Sequence, residues 1–181
     1  MSFTEMQIQG AWVHTPTRFN DLRGHFEEQF KLSLIESQLG RSFPVKQVNQ
    51  SVSSKGAVRG IHWTDSAGGQ AKYVSCTNGA MWDVVVDLRP SSPTYGLWAA
   101  ETISRENGKS VLISEGLGHV FLALEEGTVA NYLCTSEYNP SSDKTVNPLD
   151  PNLAIGFELV AKQHGITTFS MSEKDRDGAA F

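Results

Sequence analysis

The segment AVRGIHWTDSAGGQAKYV, residues 57–74, gathers Arg59, His62 and Lys72 around one Gly-rich turn in a chain whose formal net charge is -5. Strand-like residues flank the turn. A hairpin reversing over residues 65–69 sets His62 directly opposite Lys72, with Cβ atoms about 4.5–5.5 Å apart on one face. An ammonium that close lowers the pKa of an imidazole and favours its neutral form. A neutral imidazole can take up a proton near pH 7, and a cation beside it can stabilise an oxyanion. The pair therefore suits removal of a proton next to a carbonyl. Arg59 and His62 point to opposite faces of a regular strand, so a shared site requires a bulge, and Gly60 is the natural place for one. The same residues also fit a hairpin that merely carries solvated charges, and spacing alone does not separate the two.

Other chemistry-bearing residues are scattered more widely. His119, in SEGLGHVFLAL, shares strand parity with Phe121 and Ala123 and is expected to face inward. A lone inward histidine is more often a hydrogen-bonded core residue than a functional one. Tyr132, in TVANYLC, shares parity with Ala130 and Cys134 and is expected inside a barrel, where its hydroxyl needs a partner. In FNDLRGHFEEQF, strand parity puts Phe26, Glu28 and Phe30 on one face near Arg23. A ring, a carboxylate and a guanidinium can stack on a nucleobase, bond its polar edge and hold a phosphate. Without further context a solvated, charged edge strand is the more ordinary explanation of that pattern. Gln47 and Asn49 share a face of VKQVNQSVS, as two neutral amides for a sugar or base or as a plain polar face.

The elements that must position these residues read as mostly β. MWDVVVDLR alternates Trp82, Val84, Val86 and Leu88 with Asp83, Val85, Asp87 and Arg89, the period of a strand with one face on a core. KYVSC, SVLIS, HVFLALE and TVANYLCTSEY are further strands, separated by Gly, Asn and Ser turns, which predicts a sandwich or barrel. KLSLIESQLG has helical spacing in Leu32, Ile35 and Leu39, with Gly40 as its stop. NPLDPNLAIG is broken by two prolines and reads as loop. The polar segment after it is expected on the surface or docked as a terminal piece.

The 181 residues fit one antiparallel β domain. A hydrophobic content of 39% with 19% charged residues describes a globular chain and not a disordered one. The acidic balance argues against nucleic-acid binding, which shows as a basic excess. It leaves room for a small anion in a locally basic cleft. Cys76 and Cys134 sit in apolar runs and read as buried thiols of a reducing compartment. No apolar run approaches the roughly 20 residues of a membrane span, and MSFTEMQIQG is no signal peptide. A cytoplasmic location without membrane contact is expected.

Taken in order, several of these stretches resemble one family, the dTDP-4-dehydrorhamnose 3,5-epimerases and their antibiotic-sugar relatives. The matching pieces are D-x-R-G-x-F-x-E-x-F over residues 21–30 and Q-x-N-x-S-x-S-x-x-G-x-x-R-G-x-H over residues 47–62. GQAKYVSC, DVVVDLRPSSPTYG, EGLGHVF, NYLCTSEY, DPNLAI and the late SEKD follow, so that the likeness runs over residues 19–175. It implies an all-β, cupin-like jelly-roll barrel with short helices, one domain over residues 1–181, and a C-terminal segment, 160–181, that carries Asp175. It further implies a homodimer with exchanged N-terminal strands, and a dTDP-4-keto-6-deoxyhexose substrate handled without metal or other cofactor.

By the same resemblance His62 is the base that removes the proton alpha to the C4 ketone, and Asp175 orients it. Lys72 stabilises the enolate, and Tyr132 returns a proton on the opposite face. Arg23, Phe26, Glu28, Gln47, Asn49, Arg59 and Tyr138 are implied to bind the nucleotide end of the substrate, and His119 to line the sugar pocket. The chain departs from the common pattern at Thr64, Ser114, Val120 and GFELV, which leaves open whether C3, C5 or both are inverted. A metal-dependent cupin oxygenase needs a His-x-His pair, and here the pair position reads His62-Trp63-Thr64. A catalytically silent sugar-nucleotide-binding cupin is disfavoured by the intact set of His62, Lys72, Tyr132 and Asp175. A sugar 3,4-ketoisomerase on the same fold matches the ordered motifs less well.

Overall fold

The computed structural model describes residues 2–65 and 68–181. In chain order they form β1 (Ser2–Glu5), β2 (Ala11–Thr15), β3 (Arg18–Asp21), β4 (Gly24–Glu27), α1 (Leu32–Leu39), β5 (Gln47–Ser53), β6 (Val58–Thr64) and β7 (Lys72–Asn78). There follow β8 (Ala80–Asp87), β9 (Trp98–Ser104), β10 (Ser110–Ile113), β11 (Leu117–Ala123), β12 (Thr128–Cys134), β13 (Asp143–Thr145), α2 (Phe157–Gln163) and α3 (Glu173–Arg176). A six-stranded sheet, β1-β2-β10-β7-β12-β5, faces a five-stranded sheet, β13-β6-β11-β8-β9, and β3-β4 forms a separate ribbon. All strand pairings within these sheets are antiparallel. This is the cupin-like jelly roll with short helices that the motifs imply.

Alternation along the strands decides what lies between the sheets. Val74 and Cys76 of β7, Ala130 of β12, Met81 and Val85 of β8, and Phe121 and Ala123 of β11 make one buried cluster. Further along the same inward rows stand Lys72, Tyr132, Cys134 and His119, which line a cavity. Core and cavity are thus two stretches of one interior, apolar where side chains meet and polar where they do not.

Burial of β8 exceeds the one-faced pattern expected of it. Val84, Val86 and Leu88 on its other face are covered by Leu153, Phe157 and Ala161 from the C-terminal part. Burying a phenylalanine such as Phe157 contributes about 1.5–3 kcal/mol. Helix α2, which supplies Phe157 and Ala161, has no counterpart among the elements expected from sequence, since its seven residues are too few for a clear 3.6 period. The other sheet has its own cover. Helix α1 ends as expected at Gly40, which takes the left-handed conformation at φ 68°, and its Ile35 joins Phe43, Tyr73 and Leu112.

HFEEQF is strand only as far as Glu27. Phe30 is drawn out of the ribbon to pack on Tyr73 and Phe43, with ring centroids 5.3 and 6.2 Å away. The expected shared face of Phe26, Glu28 and Phe30 is therefore not formed. The late polar segment is docked. Ser170 bridges to Ala57 in parallel, and its carbonyl accepts from Val58 N at 2.9 Å. Among the described residues no helix is long and apolar enough to cross a membrane.

Candidate active site

A cavity of about 600 Å³ opens between the two sheets, within the size range of small-molecule sites. His62, Lys72, Tyr132 and Asp175 all line it, together with Asn49, Arg59, His119 and Tyr138.

His62 and Lys72 arrive by a route other than the expected hairpin. β6 and β7 belong to different sheets, and the apex of the proposed turn, residues 66 and 67, lies outside the described residues. His62 pairs with His119 and Thr145, whereas Lys72 pairs with Ile113 and Cys134. Strand parity fixes which face a residue takes, but not which sheet its strand joins. The two side chains still converge, because facing sheets turn both inward: Lys72 Nζ donates to the His62 carbonyl at 3.4 Å.

The bulge expected at Gly60 is present. Phe121 pairs with Arg59 but His119 pairs with His62, so the register slips between them. Gly60 sits at φ 117°, and a Cβ there would strike the His119 carbonyl oxygen, which only glycine avoids. The slip brings Arg59 and His62 to one cavity. Arg59 Nε donates to Ser53 Oγ at 2.9 Å and its terminal nitrogen to the Val52 carbonyl at 3.2 Å, which fixes the guanidinium at the wall.

Asp175 is delivered by the docked segment. Ser172 caps α3, its Oγ accepting from Asp175 N at 3.1 Å. That turn carries Asp175 Oδ1 to 2.6 Å from His62 Nε2. Burial works to raise the Asp175 pKa, but the hydrogen bond and charge of His62, with Ser172 and the Gly60 backbone, outweigh it and the net shift is downward. The ionised carboxylate accepts, so in a neutral ring Nε2 holds the hydrogen and Nδ1 keeps the free lone pair.

Lys72 is partly open to the cavity, and burial of its ammonium lowers its pKa, against the opposing pull of Cys134, Asp143 and Asp83. Tyr132 Oη lies 3.2 Å from Ser51 Oγ. Burial pushes its phenol well above the ordinary 10, so the group is a neutral acid at pH 7. His119 answers both descriptions offered by the sequence. It lines the cavity, yet it is buried and its Nε2 lies 2.6 Å from Asp83 Oδ2. Asp83 is a contributor that the sequence hid, because it reads as the polar face of an alternating strand. Its other oxygen, Oδ1, is buried with no hydrogen-bond partner among the described residues. Such an orphan costs about 1–3 kcal/mol or more.

The remaining expected residues divide. Gln47 stands just behind the rim, donating to Asn49 Oδ1 at 2.7 Å and accepting from Tyr138 N at 2.7 Å. Arg23, Phe26 and Glu28 do not line this chain's cavity. Arg23 is 90% exposed and paired with Asp21, and Phe26 is exposed on the β3–β4 ribbon beside Phe19. The cavity rim also holds Lys174, bound to Asp143 at 2.5 Å. Among the described residues no three His, Cys, Asp or Glu side chains gather as a metal-binding set.

A jelly roll with an imidazole, an ammonium and a phenol in one cavity defines a cupin-like enzyme. The dTDP-4-dehydrorhamnose 3,5-epimerase family matches over residues 5–181, and the chain belongs to that family. The dTDP-4-dehydrorhamnose 3,5-epimerase of Mycobacterium tuberculosis H37Rv is 41% identical over 180 residues, covering 99% of this chain and 86% of the relative. The dTDP-4-dehydro-6-deoxyglucose 3-epimerase of Streptomyces bikiniensis is 44% identical over 152 residues, 84% of this chain and 78% of the relative. Among solved structures, the Mycobacterium tuberculosis rmlC epimerase superposes with a TM-score of 0.94 at 39% identity, over 99% of this chain and 88% of that one. ChmJ, a 3'-monoepimerase from Streptomyces bikiniensis in complex with dTDP-quinovose, gives 0.88 at 40% identity, over 96% and 85%.

Proposed function

We propose that this protein is an epimerase that inverts C3, C5 or both carbons beside the C4 ketone of a dTDP-4-keto-6-deoxyhexose, in the making of rhamnose or a natural-product deoxysugar. The observation that carries the reading is the convergence of the His62–Asp175 dyad, Lys72 and Tyr132 on one cavity.

His62 Nδ1 takes the proton alpha to the ketone, and the C–H electron pair becomes the enolate double bond as charge passes to the C4 oxygen. Asp175 holds the ring tautomer and offsets the imidazolium that forms. The Lys72 ammonium stabilises the enolate oxygen, more strongly for being withdrawn from water. Tyr132 gives its proton to the carbon from the opposite face, and the ketone re-forms with the centre inverted. A placed general base contributes about 10²–10⁴-fold and an oxyanion donor about 10²–10³-fold. Neither step changes the oxidation state of substrate or protein.

Arg59, Asn49, Gln47 and Tyr138 stand at or behind the rim, suited to phosphates and a base. Arg23, Phe26 and Glu28 serve the same nucleotide from a second copy, as in a homodimer with exchanged N-terminal strands. The exposure of Arg23 in the β3–β4 turn supports this, as do the bare rings of Phe19 and Phe26. Mixing His62→Ala and Arg23→Ala chains tests it. A hybrid dimer holds one wholly intact site and should regain activity, whereas no recovery would return Arg23 to its own chain's site.

The reaction itself is tested by NMR with dTDP-4-keto-6-deoxyglucose in D₂O. Deuterium entering at C3 alone marks a 3-epimerase, and entry at C3 and C5 marks the double reaction. Folded protein that exchanges neither position with any dTDP-4-ketohexose overturns the proposal.

A further inference from the structure

We propose that Ser51 is the positioning residue for Tyr132: its hydroxyl holds the phenol in place and then turns to serve the phenolate left after proton transfer. The inference rests on the epimerase reading above and deepens it.

Strand β5 is the edge of the six-stranded sheet, bonded among the described residues only to β12. Its outward residues, Val48, Gln50 and Val52, are exposed. Its inward residues are short and polar, and two of them hold a cavity side chain each. Ser53 Oγ accepts from Arg59 Nε at 2.9 Å, and Ser51 Oγ lies 3.2 Å from Tyr132 Oη. Across the β5–β12 ladder Tyr132 is paired with Asn49 and Ser51 with Ala130, so Ser51 is the diagonal neighbour of Tyr132. A diagonal neighbour is within reach of a long aromatic side chain. Ser51 is the only hydrogen-bond partner of the phenol oxygen among the described residues. The ring itself is set by His119, edge-on with centroids 5.8 Å apart.

The choice of a hydroxyl matters. A serine oxygen carries one donor and two acceptor lone pairs, and its hydrogen rotates freely. While Tyr132 is a phenol, either hydroxyl can donate to the other, and the contact fixes the ring angle. When the phenol proton passes to the substrate carbon, the enolate pair becomes the new C–H bond and the O–H pair stays on the tyrosine oxygen. Ser51 then donates to that oxygen. Solvent returns a proton to Tyr132 and takes one from His62, so the cycle consumes nothing. An alanine leaves the buried phenolate without a donor. Proton removal by His62 occurs on the other sheet and does not involve Ser51.

The test separates those two halves. Wild type and the Ser51→Ala, Ser51→Thr and Ser51→Cys variants are incubated with dTDP-4-keto-6-deoxyglucose in D₂O. Deuterium incorporation with retention and the inverted product are followed by NMR. For Ser51→Ala we expect incorporation within about threefold of wild type, kcat for inversion lower by roughly 10- to 100-fold, and KM little changed. Ser51→Thr, which keeps the hydroxyl, should recover inversion to within about threefold, and Ser51→Cys, a weak donor, should fall between. Incorporation and inversion falling together, inversion unaffected in Ser51→Ala, or no recovery with threonine would each overturn the role. Wild type that exchanges nothing would instead overturn the epimerase reading on which it stands.

Discussion

His62 and His119 are direct partners across β6 and β11, and each meets a carboxylate through Nε2 at 2.6 Å. Their surroundings differ. The His62 side chain is 33% exposed, and its carboxylate comes from the docked segment far along the chain. The His119 side chain is 5% exposed, and its carboxylate, Asp83, lies wholly buried in the same sheet. An accessible ring whose free nitrogen meets substrate can cycle a proton. A ring locked between sheet partners gives shape and a fixed dipole. One geometry therefore stands in two settings, and burial distinguishes them.

The largest break in this comparison is His62→Ala, expected to lower C–H exchange by at least about 10³-fold. His119→Ala should cost only about tenfold, a single hydrogen bond's worth. Equal losses measured by NMR in D₂O would erase the distinction. Tyr132→Phe comes next, with inversion reduced by about 10²-fold while exchange with retention persists. Asp175→Asn should lower kcat by about 10²-fold through the wrong tautomer and the lost counter-charge, as carboxylates that orient histidines do elsewhere. Asp83→Asn should lower it by about tenfold, since His119 stays out of the proton path.

The smallest effect concerns acid stability. The folded pKa of Asp175 lies below its ordinary 3.8, so its contribution is complete above that value and is lost as pH falls through the folded pKa. Asp175→Asn should flatten the fall of Tm with pH below about 4. The flattening will be partial, because Asp87, pushed far down, shares that limb. Burial works to raise its pKa, but Arg89, Ser92 and Thr94 outweigh it. A slope of Tm against pH unchanged in the variant would mean that the dyad does not assist folding.

Much of the cavity was readable from the chain. Parity turned Tyr132 and His119 inward, and Gly60 marked the bulge that Arg59 and His62 require. The pairing of β6 with β7 was misread, because alternation assigns faces and leaves the sheet undetermined. Asp175 stands 113 positions from its histidine, a separation over which no local pattern speaks, and only the family likeness of SEKD pointed to it. Asp83 was masked because alternation reads its row as the solvent face, whereas Met81, Asp83 and Val85 form the row turned toward the facing sheet. Arg23, Phe26 and Glu28 have their chemistry in plain view in the sequence, but periodicity did not tell that they stand away from this chain's cavity.

The shared interior of the barrel has a consequence for which sugars fit. Val74 and Phe121 follow Lys72 and His119 by two residues on the same inward rows, so the depth of the well is set by ordinary packing residues. Trimming either one would lengthen the hollow without touching a reacting group. The volume of the sugar admitted and the chemistry done on it can therefore drift separately as such proteins diversify.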